Sequence, residues 1–190
     1  MGCASSASAV QVGEQSAARR TLGDKGCDAI AERLLENDMS MTILDLNNQD
    51  IGDEGATVLA MALSENCTTT ELILWGNSIG DDGTKAIAEA LKSNKTLTYL
   101  SLSWPGNHIG DDGAKALASA LETNKTLKQL WLRCNCIGDE GAKAITSALE
   151  KNYTLEEIGL NGNNILNEDS LPPGELSRTY PQFGNIIRPL

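Results

Sequence analysis

Five times along the chain a short apolar alternation leads into a glycine-flanked acidic pair. Leu44-Asp45-Leu46 precedes Gly52-Asp53-Glu54-Gly55, Leu72-Ile73-Leu74 precedes Gly80-Asp81-Asp82-Gly83, Leu100-Ser101-Leu102 precedes Gly110-Asp111-Asp112-Gly113, and Leu130-Trp131-Leu132 precedes Gly138-Asp139-Glu140-Gly141. Ile158-Gly159-Leu160 opens a degraded last copy. The isoleucine before each glycine stands at 51, 79, 109, 137 and 165, so the steps are 28, 30, 28 and 28 residues. A repeat of this period cannot bury its apolar face alone and must stack on its neighbours, which constrains the chain to a solenoid. Such an array builds a surface more readily than a pocket.

Within each copy the alternation predicts a short strand whose leucine-type residues point inward, at 44, 72, 100, 130 and 158 and at 46, 74, 102, 132 and 160. A polar amide follows at Gln49, Asn77, Asn107, Asn135 and Asn163, where stacked copies would form a ladder that satisfies loop backbone groups. The glycine-flanked phrase then opens a helix. Asp53, Asp81, Asp111 and Asp139 read as its N-cap, with the next acid in the first turn, where the helix dipole favours negative charge. Ala114, Leu117, Ala118 and Leu121 share one helix face, matched by Ile87 with Leu91 and by Ile145 with Leu149. Asn66, Asn94, Asn124 and Asn152 at the helix exits read as left-handed C-cap residues. An earlier helix from Gly23 to Asn37 has no clear preceding strand and reads as an N-terminal cap.

The phrase Leu-x-Leu-x-x-Asn-x-Ile-Gly-Asp-Glu-Gly-Ala, read best through Leu132 to Ala142, resembles the ribonuclease-inhibitor class of leucine-rich repeats over residues 22 to 165. Repeats of NOD-like receptors and of the Ran GTPase activator are similar. The resemblance implies an α/β leucine-rich-repeat solenoid: a curved parallel sheet of about five short strands on the concave side, helices on the convex side, and a protein partner. The chain reads as a small stand-alone member with three parts: a flexible leader over 1–20, the repeat domain over 21–165, and a C-terminal cap or tail over 166–190.

Side-chain alternation sends the residues between the leucines onto the concave sheet. They are Glu71, Ile73 and Trp75, then Tyr99, Ser101 and Ser103, then Gln129, Trp131 and Arg133, then Glu157, Gly159 and Asn161, with Trp104 just beyond in the lengthened copy. All three tryptophans thus fall off the core positions in three adjacent turns. Exposed Trp, Tyr and Arg are enriched at interface hot spots, so Glu71, Ile73, Trp75, Tyr99, Trp104, Trp131, Arg133 and Glu157 are the candidate protein-binding residues. The alternative is that the rings lie flat and shield the sheet. His108 reads as solvent-facing, and Lys85, Lys115 and Lys143 as a solvated convex face.

Charge and motif content narrow the function classes. The net charge of −11 arises from 26 acids against 15 bases, and eight of the acids belong to the glycine-flanked pairs. That balance opposes a nucleic-acid partner, which needs a clustered basic face. No nucleophile elbow, His-Glu-x-x-His or phosphate loop appears, so the expectation is a non-enzymatic module with no cofactor, metal or small-molecule substrate. A GTPase-activating surface similar to the Ran activator, with Arg133 as its basic side chain, is the other reading. Five cysteines without framework spacing fit a reducing, cytoplasmic setting, with Cys27, Cys134 and Cys136 read as buried free thiols.

The start, Met1-Gly2-Cys3-Ala4-Ser5-Ser6, fits N-myristoylation at Gly2 with palmitoylation at Cys3, or else is a small-residue leader that matches by chance. Two acyl chains would tether the module to the cytoplasmic face of a membrane; one alone binds only marginally. The tail after Leu166 leaves the repeat at Pro172-Pro173-Gly174 and carries Phe183, Ile186, Ile187 and Leu190. It is expected to fold over the last exposed core, with a short helix near Asn167 to Ser170, or to dock elsewhere as a linear peptide.

Overall fold

The computed structural model describes residues 22–103, 106–167 and 170, together with the backbone of 9–11. Strands and helices alternate: β1 (Ala9–Gln11), α1 (Gly23–Leu35), β2 (Ile43–Asp45), α2 (Asp53–Glu65), β3 (Glu71–Ile73), α3 (Asp81–Ser93), β4 (Tyr99–Ser101), α4 (Asp111–Thr123), β5 (Gln129–Trp131), α5 (Asp139–Leu149) and β6 (Glu157–Gly159). The strands form one parallel sheet in sequence order, β1 to β6, and each helix from α1 to α5 packs on the next. This is the α/β repeat solenoid expected from the period. β1 is an addition: residues 9–11 fall in the stretch read as a flexible leader, yet Ala9 pairs with Ile43 and Gln11 with Asp45. Ala9-Val10-Gln11 lacks the leucine alternation and the following acidic phrase of the later copies, so the repeat does not reveal it, and it gives the first helical unit a preceding strand.

The core is a set of columns. Leu44, Leu72, Leu100, Leu130 and Ile158 stack across the strands, Leu46, Leu74, Leu102, Leu132 and Leu160 stack behind them, and Ile51, Ile79, Ile109 and Ile137 close the turns, all of them buried. Leu59 and Leu63, Ile87 and Leu91, Leu117 and Leu121, and Ile145 close the columns from the helix side. Each such residue contributes roughly 1.5–3 kcal/mol by leaving water. The 30-residue step leaves the register intact, because Tyr99 still faces Gln129 and Ser101 faces Trp131; the extra residues lie beyond the strand.

Two amide ladders tie the turns together. Asn77 Oδ1 accepts from the N–H groups of Gln49 and Ile51 while its Nδ2 donates to the carbonyls of Leu46 and Leu74. Asn107, Asn135 and Asn163 repeat this bridging one turn further each time, which is the ladder expected at these positions. The second ladder is a correction. Asn66, Asn94 and Asn124 are extended at the helix exits, with φ of −73°, −61° and −69°, not left-handed. Their amides are the reason: Asn94 Oδ1 accepts from the Thr96 and Leu97 N–H groups, and its Nδ2 donates to the Leu63 and Asn66 carbonyls. Asn152 does the same for Thr154, Leu155, Leu121 and Asn124. A side chain that serves four backbone groups sets the exit angle, and the left-handed exit occurs at Asn37, φ 53°.

The aspartates require a second correction. The N-caps are Gly52, Gly80, Gly110 and Gly138, and Asp53, Asp81, Asp111 and Asp139 are the first helical residues. Each carboxylate caps the following unit. Asp24 accepts from the N–H groups of Gly52 and Gly55, Asp53 from Gly80 and Gly83, Asp81 from Gly110 and Gly113, and Asp111 from Gly138 and Gly141, at 2.7–2.9 Å. Each helix from α2 to α5 therefore meets a negative charge at its positive end, supplied by its predecessor.

The column ends at Asp139, which accepts from the Leu166 and Asn167 N–H groups. Ser170 N–H donates to the Asn167 carbonyl, and Thr146 Oγ1 donates to the Ser170 carbonyl. The N–H of Asn167, then that of Leu166, hold the Asp139 carboxyl below its ordinary value of 3.8. A depressed carboxyl stabilises the folded contact above its ordinary pKa and loses that contribution as pH falls through the lowered one. Acidification below 3.8 is therefore expected to release the 166–167 backbone from α5. The Asp139 carboxyl resonance and the Leu166 and Asn167 amide shifts should titrate together below that pH; a midpoint at or above 3.8, or amides that do not follow, would refute the contact.

Candidate protein-binding face

Strand pairing arranges the concave side chains in rows. Ile43, Glu71, Tyr99, Gln129 and Glu157 are register partners, as are Asp45, Ile73, Ser101, Trp131 and Gly159. Two residues further along each strand stand Asn47, Trp75, Ser103, Arg133 and Asn161, and Arg133 N–H donates to Ser103 Oγ at 3.3 Å. The candidate residues Glu71, Ile73, Trp75, Tyr99, Trp131, Arg133 and Glu157 thus share one face, because the alternation that buries the leucines turns them outward. Trp104 lies outside the described residues, as do Gly2 and Cys3. The first copy was overlooked: Ile43, Asp45 and Asn47 extend the face toward β1, and the same two-residue ruler laid on Leu44 and Leu46 identifies them.

The aromatic rings are not freely exposed. Trp75, Tyr99 and Trp131 are half-buried. Among the described residues the large apolar side chains that do stand in solvent are Leu35, Met39, Met61, Tyr153 and Leu166, none of them on β2 to β6 of this face. Trp131 lies toward Gly159: a Cβ there would stand 2.5 Å from Trp131 Cε3 and 2.9 Å from Arg133 Nε. The ring also carries the Arg133 guanidinium, with Cζ 4.5 Å from the ring centroid, an attraction between a cation and the ring quadrupole. Gly159, absent from the candidate residues, is therefore what lets the pair settle on the sheet.

Around this pair the face is electrostatically mixed. Burial pushes the Tyr99 phenol above its ordinary range; the Ser101 hydroxyl and Arg133 act against that rise, while Glu71 and Glu157 add to it. Ser101 is itself buried. Arg133 Nε and Asn161 Oδ1 are buried without a hydrogen-bond partner. At the other end Asp45 Oδ1 accepts from the Asn47 N–H, so that carboxylate is already engaged.

Elsewhere among the described residues the chemistry-bearing side chains are structural or solvated. His108 is exposed, and so are Cys67, Cys134 and Cys136; only Cys27 of the thiols read as buried is so. Cys134, at φ 53°, sits in the turn leaving β5, where the chain has already moved off the core. Burial, then the charges of Asp24 and Asp28, push the Cys27 thiol up to about 11. Lys85 and Lys143 pair with Asp82 and Glu140 of their own helices at 3.0 and 3.6 Å. Surface pairs of this kind contribute little. No described helix is long and apolar enough to cross a membrane.

The family profile described as Leucine Rich repeat matches residues 37–60, 65–88, 93–118 and 123–145. No curated protein matches the chain. Among solved structures it is similar to Leiomodin-1 Actin-Binding Site 2, with 33% identity over 74% of this chain and 79% of that one and a TM-score of 0.64. It is also similar to the tropomodulin C-terminal domain of Caenorhabditis elegans, with 16% identity over 77% of this chain and 86% of that one and a TM-score of 0.65, a likeness of fold.

Proposed function

Since this chain belongs to the leucine-rich-repeat family, we propose that it is a non-enzymatic protein-interaction module that grips a partner with its concave sheet. The carrying observation is the Trp131–Arg133 pair seated over Gly159, in rows shared with Tyr99 and Trp75. Half-buried rings already ordered by their neighbours lose little conformational freedom on binding, which suits them as anchors. Arg133 held against the Trp131 ring favours a docking role over the GTPase-activating reading, in which the side chain would have to reach into another protein's site.

The likeness to Leiomodin-1 Actin-Binding Site 2 makes actin the first partner to test. Titration calorimetry with monomeric actin is expected to give saturable binding in the micromolar range, about −8 kcal/mol. Trp75→Ala combined with Trp131→Ala should weaken it by about 2 kcal/mol or more, roughly 30-fold, with the circular dichroism unchanged. Failure of the native protein to bind would remove actin; full affinity in the double variant would remove the concave face. We place acylation at Gly2 and Cys3 within the same reading, in a reducing cytoplasmic setting where two chains hold the module at a membrane surface. Intact mass of the protein from its own cells should then exceed the sequence mass by a myristoyl and a palmitoyl group, and an unmodified terminus would end that part of the proposal.

A further inference from the structure

We infer that Arg133 is the anchor for a single carboxylate of the partner, an Asp or Glu side chain on a segment laid across β4, β5 and β6. The inference rests on the concave face being the binding surface. Among the described residues the ion pairs are Arg33–Asp38, Lys85–Asp82, Lys92–Glu89, Lys128–Glu156, Lys143–Glu140 and Lys151–Glu122. None lies in the rows around Trp131, and Arg133 enters none of them. The guanidinium is held beside the indole ring, Cζ 4.5 Å from its centroid, and the ring supplies no hydrogen-bond acceptor to its donors. Carboxylate geometry matches that fork with two parallel bonds.

The orphaned atoms complete the match. Arg133 Nε is buried with no acceptor, and Asn161 Oδ1, one strand over, is buried with no donor. Both are left unsatisfied in the free protein, a state folded proteins rarely tolerate without a reason. An occupant that offers two carboxylate oxygens at the edge of the guanidinium satisfies Nε and one Nη. The same occupant satisfies Asn161 if a backbone N–H lies beside the carboxylate. A peptide segment carries both groups and a free anion carries one. Glu71 and Glu157 stand in the neighbouring row, in register with Tyr99, so a monoanionic carboxylate is favoured over a dianionic phosphate, and a basic residue on the same segment has Glu157 to meet.

The test uses small probes and so does not depend on which protein binds. N-acetyl-glutamate N-methylamide carries the carboxylate and the N–H; N-acetyl-glutamine N-methylamide is its neutral isostere. In titrations of the full chain followed by the Arg133 Nε–H and Trp131 indole N–H resonances, the glutamate probe is expected to saturate at millimolar concentration. The glutamine probe should bind at least tenfold more weakly, and inorganic phosphate at matched ionic strength no more tightly than the glutamate probe. Arg133→Lys keeps the charge but loses the fork and should weaken the glutamate probe at least tenfold. Gly159→Ala, whose Cβ would displace the pair, should weaken it too while both side chains remain. Equal binding of the two amides, tighter binding of phosphate, or an unchanged Arg133→Lys would overturn the proposal. Actin binding lost in the double tryptophan variant, with these probes inert, would sink the carboxylate anchor and leave the concave-face reading standing.

Discussion

Asn124→Ala is expected to destabilise the protein by roughly 3–5 kcal/mol, lowering its melting temperature by about 10 °C. Asn124 is 0% exposed. Its Oδ1 accepts from the Thr126 and Leu127 N–H groups, and its Nδ2 donates to the Leu91 and Asn94 carbonyls. Alanine leaves two donors and two acceptors inside the solenoid, each costing about 1–3 kcal/mol when it finds no partner, with some relief where water enters. Urea unfolding followed by circular dichroism measures the loss. A change below about 1 kcal/mol would mean that the exit ladder is not holding adjacent units together. Lys115→Ala, on the solvated face, should move the midpoint by less than 0.5 kcal/mol and serves as the reference.

Gly141→Ala is expected to cost roughly 1–3 kcal/mol, against the gain of up to about 1 kcal/mol that helix propensity assigns to it. Gly141 lies in the first turn of α5, where alanine would normally reduce the entropy lost on folding. Here a Cβ would stand 2.7 Å from Asp111 Oδ1, 2.8 Å from the Ala114 Cβ and 2.9 Å from Ile137 Cγ2. Three side-chain atoms crowd it, two of them in the buried core, and the carboxylate that accepts from the Gly141 N–H must retreat. Thermal unfolding decides the sign: a variant more stable than the parent would mean that adjacent helices can part without losing the aspartate contact.

Both substitutions mark the limit of what was legible beforehand. The sheet, its order and its inward columns could be read from the chain, because a period of two inside a period of about 28 leaves one way to bury the leucines. The Asn77 to Asn163 ladder was legible for the same reason: an amide that recurs in register has its own copy as neighbour. The aspartates were assigned to the wrong helix. Local capping rules place a carboxylate over its own helix, but Asp53 and its equivalents are the first helical residues, and their carboxylates face the next unit. The helix-exit asparagines were misread in the same way, since backbone groups in the adjacent turn outweigh an intrinsic preference for the left-handed region.

The binding face divides likewise. That Glu71, Ile73, Trp75, Tyr99, Trp131, Arg133 and Glu157 would look out from one surface was determined by the sequence alone, as arithmetic on alternating side chains. How far they project was decided by tertiary structure. A glycine on the next strand gives Trp131 room to settle, and the settled ring carries Arg133, leaving its Nε and the Asn161 side-chain Oδ1 without partners. The Gly159 contacts join residues 26 and 28 positions apart, across a repeat boundary that local pattern cannot cross. The repeat settles which residues are neighbours, and only the packed turns settle what each neighbour leaves unpaired.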